Sequence, residues 1–369
     1  MRADNNNMLG SIVRGTQGTM RSHVRTIVVL ALAVALVALF LHNVDLWGVL
    51  TNIAHARPEW LAFSVATMFL NLVIRSLRWQ YLLEPLGRTT FGNAFRATAV
   101  GVAASSVLPA RAGEVIRPYF LARRTRNASS TELPRMTATG AFATIILERL
   151  LDVITVLVLL ASYVFVFGRD LGRTNPSVFA GLKWAGGTAA AGSLGVLAVL
   201  FVLAGNPERL GQALTRLERV MPSKLAGLIA KIAEKFAQGL GAIRRPGHLA
   251  GALLWSFPLW LSIAAGIWAV AVAFRFPVPF TGSFLLIALL TIGVAVPTPG
   301  AIGGFHEAFR IGATMFYGAP QEAAVGAAIV LHLFSFGPAL LLGLAFAAEE
   351  GLNMSSMRRL ADQEQGHTA

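Results

Sequence analysis

The stretch SSVLPARAGEVIRPYFLARR, residues 105–124, carries four arginines and one glutamate in a chain that is otherwise strongly apolar. Of the 369 residues, 55% are hydrophobic and only 13% are charged. Soluble domains contain about 25% charged residues, so this composition indicates a membrane protein. A charged segment with proline and glycine in such a chain predicts a point where polar chemistry enters the membrane.

Seven apolar stretches come close to the roughly 17–25 residues that a helix needs to cross the hydrocarbon. They cover residues 27–41, 59–74, 149–167, 184–204, 250–273, 282–297 and 322–347. We therefore expect an all-α fold: a polytopic membrane helical bundle of about 7–8 transmembrane helices, with re-entrant or broken helices among them. Seven crossings place the C-terminus outside, and only an eighth crossing through 298–317 returns it to the cytoplasm.

One membrane domain fills most of the chain. We expect residues 1–24 to be a cytoplasmic tail, 25–348 the transmembrane domain and 349–369 a C-terminal tail. Residues 206–246 repeat apolar side chains at three- and four-residue spacing with Lys and Arg between them. That pattern predicts amphipathic helices, which lie either on the inner leaflet or against each other as a cytoplasmic hairpin.

The basic residues are unevenly distributed along the chain. Segments 1–26, 75–135 and 206–246 hold 22 of the 31 Lys and Arg, whereas the alternate segments 42–58, 168–183 and 274–281 hold five. The positive-inside rule then predicts a multi-pass protein of the cytoplasmic (inner) membrane with a cytoplasmic N-terminus. The net charge of +13 predicts contact with anionic inner-leaflet lipid, and no nucleic-acid partner.

The opening stretch is the first of three candidate polar sites. Arg111, Glu114 and Arg117 are spaced three apart and share one face if the segment is helical, whereas Pro109 and Gly113 interrupt the helix. The preceding residues 91–108 are apolar but have basic residues on both sides, which predicts a segment that enters the bilayer and returns. Guanidinium groups beside free backbone N–H groups favour an anion site, and the alternative is a loop whose charges pair with one another.

The second candidate is ERLLD, residues 148–152. Glu148 and Asp152 are four residues apart and face the same way, with Arg149 beside them. Ionisable residues inside a membrane normally face a polar interior. The alternative is an ordinary interfacial ion pair with Arg111 or Arg117.

The third candidate is VPTPGAIGGFHEAFR, residues 296–310. Its prolines and glycines, Pro299, Gly300, Gly303 and Gly304 among them, make a regular helix improbable. A half-helix that begins near Gly304 points its positive end into the bundle, with Glu307 and Arg310 paired on its flank. The alternative is a tight contact of small residues. PARAGEVIR and PGAIGGFHEAFR also resemble each other, and paired interrupted segments indicate the substrate site of a transporter.

Several kinds of site are not indicated by the sequence. The chain has no cysteine, HEAFR lacks the second histidine of H-E-x-x-H, and neither G-x-x-x-x-G-K-[ST] nor G-x-S-x-G occurs. We therefore expect no enzyme activity, no catalytic residue, no metal and no cofactor, and no ATP hydrolysis by this chain. His332, inside the last apolar stretch, is a candidate proton relay, but a hydrogen bond to a neighbouring helix is the favoured alternative.

Four blocks occur in a characteristic order: RSLRWQYLLEPLG (75–87), LPARAGEVIRPYFLARR (108–124), ERLLD (148–152) and PTPGAIGGFHEAF (297–309). Over residues 25–348 the chain resembles the lysylphosphatidylglycerol synthase transmembrane, or flippase-like, family. The resemblance implies an inner-membrane domain with re-entrant helices. In fused members this domain translocates aminoacylated phosphatidylglycerol, and others are linked to glycolipid, polyprenyl-phosphate or hopanoid-related envelope biogenesis. We expect the C-terminal aminoacyltransferase domain of the fused members to be lacking, and therefore no synthase activity.

The leading functional hypothesis is a flippase, not driven by ATP, for a lipid with an anionic, aminoacylated, glycosylated or hopanoid-related head. Arg78, Arg111 and Arg117 would bind an anionic group. The carboxylates would balance those cations or contact an amine or sugar, and Arg149 and Arg310 complete a candidate set of Arg78, Arg111, Glu114, Arg117, Glu148, Arg149, Asp152, Glu307 and Arg310. The alternatives are a membrane-embedded transferase for lipid-linked substrates and a scaffold that binds lipid-synthesising enzymes.

Overall fold

The computed structural model describes residues 31–32, 34–42, 44–108, 112–128, 137–167, 246–296 and 298–350, with isolated helical residues between 180 and 195. Over these ranges the chain is helical and forms no strand, which confirms the all-α prediction. The predicted tail 1–24 lies outside the described residues, as do all but residues 349 and 350 of the tail 349–369, all but residue 246 of the amphipathic region 206–246, and most of 184–204. So do Pro109 and Arg111.

Ten helices follow one another within the described ranges. They are α1 (residues 31–32 and 34–40), α2 (Leu46–Ala54), α3 (Pro58–Leu83), α4 (Phe91–Val107), α5 (Gly113–Ala128), α6 (Ala138–Ser162), α7 (Pro246–Ala273), α8 (Gly282–Ala295), α9 (Gly304–Tyr317) and α10 (Gln321–Glu349). ERLLD lies inside α6, which is one unbroken helix. This helix begins where the Thr137 hydroxyl accepts a hydrogen bond from the Gly140 amide at 3.1 Å, a typical N-cap.

Three of the described helices, α3, α7 and α10, are long and apolar enough to cross a membrane. Large apolar side chains on them stay exposed: Leu254 is 68% exposed, Leu333 61% and Leu341 70%. Such surfaces on a folded protein mark contact with a partner or a membrane. Their position on the longest apolar helices indicates that they face lipid.

The α4–α5 pair forms a re-entrant hairpin. A Cβ added at Gly113 would lie 1.7 Å from the carbonyl oxygen of Gly101, so the two helices are in backbone contact near the turn. At the open end, Arg96 pairs with Glu349 in the last turn of α10. The base of this hairpin and the end of α10 therefore lie at the same end of the bundle, which we call the basic face.

The α8–α9 pair forms a second hairpin of opposite direction. A Cβ added at Gly304 would lie 2.3 Å from the carbonyl oxygen of Gly293 near the turn. At its open end, the Tyr317 hydroxyl donates to the Gly282 carbonyl oxygen at 3.1 Å. This end adjoins the start of α10, whose 29 residues span about 43 Å at 1.5 Å per residue. The second hairpin therefore opens at the face opposite the basic face.

Residues 282–297 do not form the full crossing that their composition predicts, and the eighth crossing through 298–317, one of two open alternatives, is not formed either. The 14-residue α8 is about 21 Å long, which is shorter than the roughly 30 Å hydrocarbon core. The chain then turns back in α9 to the face from which it came. The end of α10 lies at the basic face because of its contact with the first hairpin.

The two hairpin tips meet inside the bundle. A Cβ added at Gly300 would lie 3.2 Å from the carbonyl oxygen of Ser106, at the end of α4. One hairpin enters from each face of the bundle. The contact between their tips therefore blocks a direct path from one face to the other. The interrupted segments that resemble each other in sequence are these two tips.

Candidate functional site

A buried cluster of charges lies where α3, α6 and α7 meet. Arg78 of α3 has no exposed surface. Its Nη1 donates to Asp152 Oδ1 at 2.6 Å and to Ser256 Oγ at 2.8 Å, and its Nη2 is 3.0 Å from Glu148 Oε1. The indole of Trp260 also donates to Asp152 Oδ1 at 3.0 Å. This guanidinium therefore joins three helices through charge-assisted contacts.

Helical spacing brings these groups to one place. Arg75 and Arg78 are three apart on α3, and Glu148 and Asp152 are four apart on α6, so each pair occupies one helix face. Leu86, beyond the end of α3, lies beside Gly140 at the start of α6. Arg78 is eight residues before Leu86, and Glu148 is eight residues after Gly140. At 1.5 Å per residue, this places the cluster about 12 Å from that end of the helices. The cluster is therefore well inside the bundle, where unpaired charges are costly.

Arg117 reaches the cluster from the first hairpin. Its Nη1 donates to Glu148 Oε2 at 3.0 Å, and its guanidinium lies 3.8 Å above the ring centroid of Trp79. The Trp79 indole is held in turn by Thr144 Oγ1 at 3.0 Å. The Arg117 Nε and Nη2 are buried, and no described residue accepts a hydrogen bond from them. Buried donors of this kind normally have a partner, so a ligand is a candidate for that role.

Arg75 and Arg149 complete the positive side of the cluster. Arg75 Nη1 is 3.8 Å from Glu148 Oε1, and Arg149 approaches Glu114, Glu148 and Asp152 at 3.8, 3.6 and 3.5 Å. Four guanidinium groups face three carboxylates, which leaves one positive charge in excess among the described residues. The site therefore favours an anion.

A cavity of about 710 Å³ adjoins the cluster. Its polar lining includes Asn71, Arg75, Ser105, Glu114, Arg117, Arg149 and Asp152. Its apolar lining includes Met68, Leu72, Val153, Val156, Ile263, Ile267, Ile287 and Leu290. Gly101 and Gly113 of the first hairpin and Gly300 and Phe305 of the second also line it. A cavity with a charged region and an apolar region between two hairpins suits an amphipathic ligand.

The tip of the second hairpin is a strained turn. Gly300 has φ +59°, Ala301 +57° and Gly303 +87°, a region that residues other than glycine adopt at a cost. His332 Nε2 donates to the Gly300 carbonyl oxygen at 2.7 Å. His306 Nδ1 accepts from the Gly303 amide at 3.3 Å. The hydrogen bond that was the favoured alternative for His332 is thus present, to the second hairpin.

The structure brings together most of the predicted charged residues, but not all. Arg78, Glu114, Arg117, Glu148, Arg149 and Asp152 belong to the cluster, and Gly113 and Gly300 line the cavity. Arg78 and Glu148 lie behind its wall. Glu307 and Arg310 pair with each other on α9 and do not line it. Pro299 begins the short 3-10 turn at the second tip, and Gly303 packs on Leu36 of α1.

Several residues of the site were not singled out from the sequence. Arg75 lies in the quoted RSLRW block, so its spacing from Arg78 was an available signal. Trp260 and Ser256 had none, because they follow Asp152 and Arg78 by 108 and 178 residues. Such long-range pairing leaves no local pattern in one sequence.

Comparison with known proteins identifies a family that matches this chain. Residues 26–343 match the family described as lysylphosphatidylglycerol synthase TM region. That match covers most of the chain and all of the helices described above except the end of α10.

The chain is also similar to a protein named as a glycosyltransferase and to two named as membrane proteins. It is 25% identical over 323 residues to Glycosyltransferase AglD of Haloferax volcanii, covering 82% of this chain but only 50% of that protein. It is 23% identical over 323 residues to UPF0104 membrane protein PH1989 of Pyrococcus horikoshii, covering 82% and 90% of the two chains. UPF0104 membrane protein MJ1595 of Methanocaldococcus jannaschii is 29% identical over 101 residues, 27% of each chain.

Proposed function

This chain belongs to the lysylphosphatidylglycerol synthase transmembrane family, and from this premise we propose that it moves a lipid with an anionic head group between leaflets. The head group binds in the cavity beside the cluster, and at least one lipid tail lies against the apolar wall. No step requires ATP hydrolysis by this chain. The protein is proposed to act in the cytoplasmic membrane with its basic face toward the cytoplasm, as the positive-inside rule favours.

The unpaired donors of Arg117 carry this proposal. Its Nε and Nη2 are buried and have no acceptor among the described residues, and its side chain lines the cavity. Trp79 and Glu148 hold the guanidinium in place, so its fork is preorganised for a phosphate or another anion. Arg75 and Arg149, also in the lining, supply further positive charge. Arg78 and Glu148 position these groups from behind the wall.

The two hairpins supply a route as well as a site. Each enters from a different face, and both line the cavity near the contact of their tips. Broken helices at the centre of a bundle are the usual site of transporters that open alternately to each face. Separation of the tips would connect the cavity with the face opposite the basic face.

A transferase is the second candidate, and one comparison favours it. The relative AglD is named a glycosyltransferase, but this chain spans about half of its length. In the described part of the chain no group of three or more His, Asp or Glu side chains could hold a metal ion. A lipid-linked substrate could still bind at Arg117, so the two functions must be separated by assay.

Reconstituted vesicles test the proposal. Purified protein is incorporated with a phosphatidylglycerol probe that has a fluorescent tail, and arrival of the probe in the outer leaflet is followed by chemical quenching. Loss of a hydrogen bond to a charged group costs about 1.5–3 kcal/mol, so we expect Arg117→Gln to slow movement about 10–100-fold. Arg75→Gln, which removes only a 3.8 Å contact to Glu148, should slow it and still fold. Arg57→Gln, exposed before α3, is the matched control.

The outcomes separate the candidates. Movement in the wild type and Arg57→Gln, slowed in both cavity variants, supports transport. Movement that is equal in all four proteins removes the proposed site. No movement above empty vesicles, together with transfer of sugar from a nucleotide sugar to a lipid acceptor, overturns transport in favour of the transferase.

A further inference from the structure

A pair of histidines, with His306 buried and His332 partly buried, lies beneath the tip of the second hairpin and is not used by the proposed lipid site. His306 is near the start of α9 and His332 near the middle of α10, and their ring centroids are 4.5 Å apart. Aromatic rings surround the pair: Phe40 lies 5.1 Å from His306, and Phe305 and Phe336 lie 5.3 and 4.7 Å from His332. Two titratable rings in an apolar environment adjoin the wall of the cavity.

Each imidazole holds one backbone atom of the strained tip. A carbonyl oxygen only accepts, so the bond to Gly300 places a proton on Nε2 of His332. An amide only donates, so the bond from Gly303 requires Nδ1 of His306 to be unprotonated. The positive φ values of Gly300 and Gly303 persist only where the surroundings hold them. The two rings are part of that support.

We propose that His306 and His332 form a proton-binding site in which protonation of His306 opens the contact between the two hairpin tips. Lipid movement is thereby coupled to proton binding. This coupling rests on the transport proposed above, whereas the proton-controlled opening of the tips does not.

Protonation of His306 acts directly on the tip. A proton on Nδ1 turns the acceptor into a donor that faces the Gly303 amide, so the hydrogen bond is lost. The new positive charge also lies at the N-terminus of α9, where the helix dipole disfavours cations. The turn loses its support, and the strained backbone relaxes away from Ser106.

His332 opposes this event. A protonated His332 keeps its Nε2–H bond to Gly300, so its own charge does not release the tip. Two positive rings 4.5 Å apart repel each other in apolar surroundings, so a charge on His332 makes a charge on His306 less favourable. The pair therefore accepts one proton at a time, and opening depends on the ring that carries it.

Among the described residues of the neighbouring helices, no charged side chain sets the protonation of the two histidines. The described helical residues of α1 and all of α8 include no charged side chain, and the glutamates of α10 lie at its two ends. On α9, Glu307 and Arg310 pair with each other. Among their described residues, the two tips otherwise present Ser105, Ser106 and the backbone of the turn.

The absence of native cysteine allows a direct test on the full chain in lipid nanodiscs. Ser106→Cys places one thiol beside the tip contact, and its reaction rate with a small charged thiosulfonate reports opening. The rate is divided by that of Ala54→Cys, an exposed position on α2, which corrects for thiol ionisation. An imidazole in water titrates near pH 6.5, and burial disfavours the charged ring, so we expect this ratio to rise about tenfold between about pH 8 and about pH 4.

Glutamine variants identify the responsible ring. His306→Gln keeps an oxygen acceptor for Gly303 but takes no proton, so the ratio should not change with pH. His332→Gln keeps an N–H donor for Gly300 and removes the competing charge, so the rise should occur at higher pH. His248→Gln, whose ring stacks on Tyr81, should follow the wild type. An unchanged rise in His306→Gln, or no rise in the wild type, overturns the proposal.

Lipid movement separates this inference from the proposed function. If the thiol data follow these expectations but no lipid moves, transport fails and the proton-controlled tip stands. If the wild type and His306→Gln move lipid equally at every pH, the proton coupling fails and transport stands.

Discussion

The guanidinium groups closest to Glu148 are those of Arg78 and Arg117, each at 3.0 Å, and Glu148 has no exposed surface. Glu148→Gln removes the negative charge and leaves both cations buried. Breaking a buried ion pair in this way costs about 3–5 kcal/mol. We therefore expect a large fall in the melting temperature of the detergent-solubilised protein, measured by differential scanning fluorimetry.

Glu307→Gln is the matched control at the residue scale. The pair of Glu307 and Arg310 is partly exposed, with side chains 16% and 22% accessible, and exposed pairs contribute about 0–1 kcal/mol. Its melting temperature should stay close to that of the wild type. Equal losses in the two variants would show that Glu148 does not hold the cluster together.

The charged residues of the site could be predicted because each is costly in an apolar chain and needs a reason to be there. Arg78, Arg117, Glu148 and Asp152 were found in this way. Their partners could not be predicted, since Trp260 lies on α7, far along the chain. Arg310 shares the local pattern of Arg117, yet it pairs within its own helix.

At the scale of the helices, each hairpin is held closed by a glycine that allows its two helices to touch. A Cβ on Gly113 or Gly304 would overlap the backbone of the paired helix, at 1.7 and 2.3 Å from a carbonyl oxygen. Because backbone cannot move aside as a side chain can, Gly113→Ala and Gly304→Ala should each destabilise the protein by about 1–3 kcal/mol or more. Thermal unfolding in detergent measures this loss.

Gly92→Ala is the control for both glycine variants. It lies in the first turn of α4, and nothing approaches a Cβ there within 4 Å. Alanine favours helix over glycine by about 1 kcal/mol, so this variant should be as stable as the wild type or more so. If Gly92→Ala and Gly113→Ala lost equal stability, backbone contact would not explain the hairpins.

The breaks in both hairpins could be predicted from proline and glycine, but the direction of the second could not. Residues 282–297 have the composition of a crossing, since a half-helix buried among other helices is as apolar as one that spans. The reversal depends on the positive φ values of Gly300, Ala301 and Gly303. Composition does not encode which way such a turn leads.

At the scale of the whole molecule, two ion pairs fasten the end of α10 to the first hairpin. Arg96 contacts Glu349, and Arg124 contacts Glu350. Partly exposed pairs contribute up to about 1 kcal/mol, so we expect Arg124→Glu to speed amide hydrogen exchange in α4 and α5 up to about fivefold. Mass spectrometry of peptides from these helices measures the rates.

Arg124→Glu combined with Glu350→Arg restores the pair with exchanged charges. We expect the double variant to recover most of the protection, although the hydrogen bond from Arg124 to Asn93 is not rebuilt. Exchange as fast as in the single variant would mean that the pair does not fasten the hairpin. Such long-range fastening is not visible in the sequence, because Glu350 follows Arg124 by 226 residues.

The complete burial of Arg78 has a consequence for the synthesis and membrane insertion of the protein. Asp152 is 74 residues and Ser256 is 178 residues further along the chain. A ribosome adds about 5–20 residues per second, so α3 is finished about 3–13 s before its first carboxylate partner, Glu148, is made. An unpartnered arginine costs about 2.5–3.5 kcal/mol at the centre of an inserting helix. The nascent α3 must therefore wait beside the insertion machinery or at the lipid surface until α6 arrives, and the order of translation becomes part of how the bundle assembles.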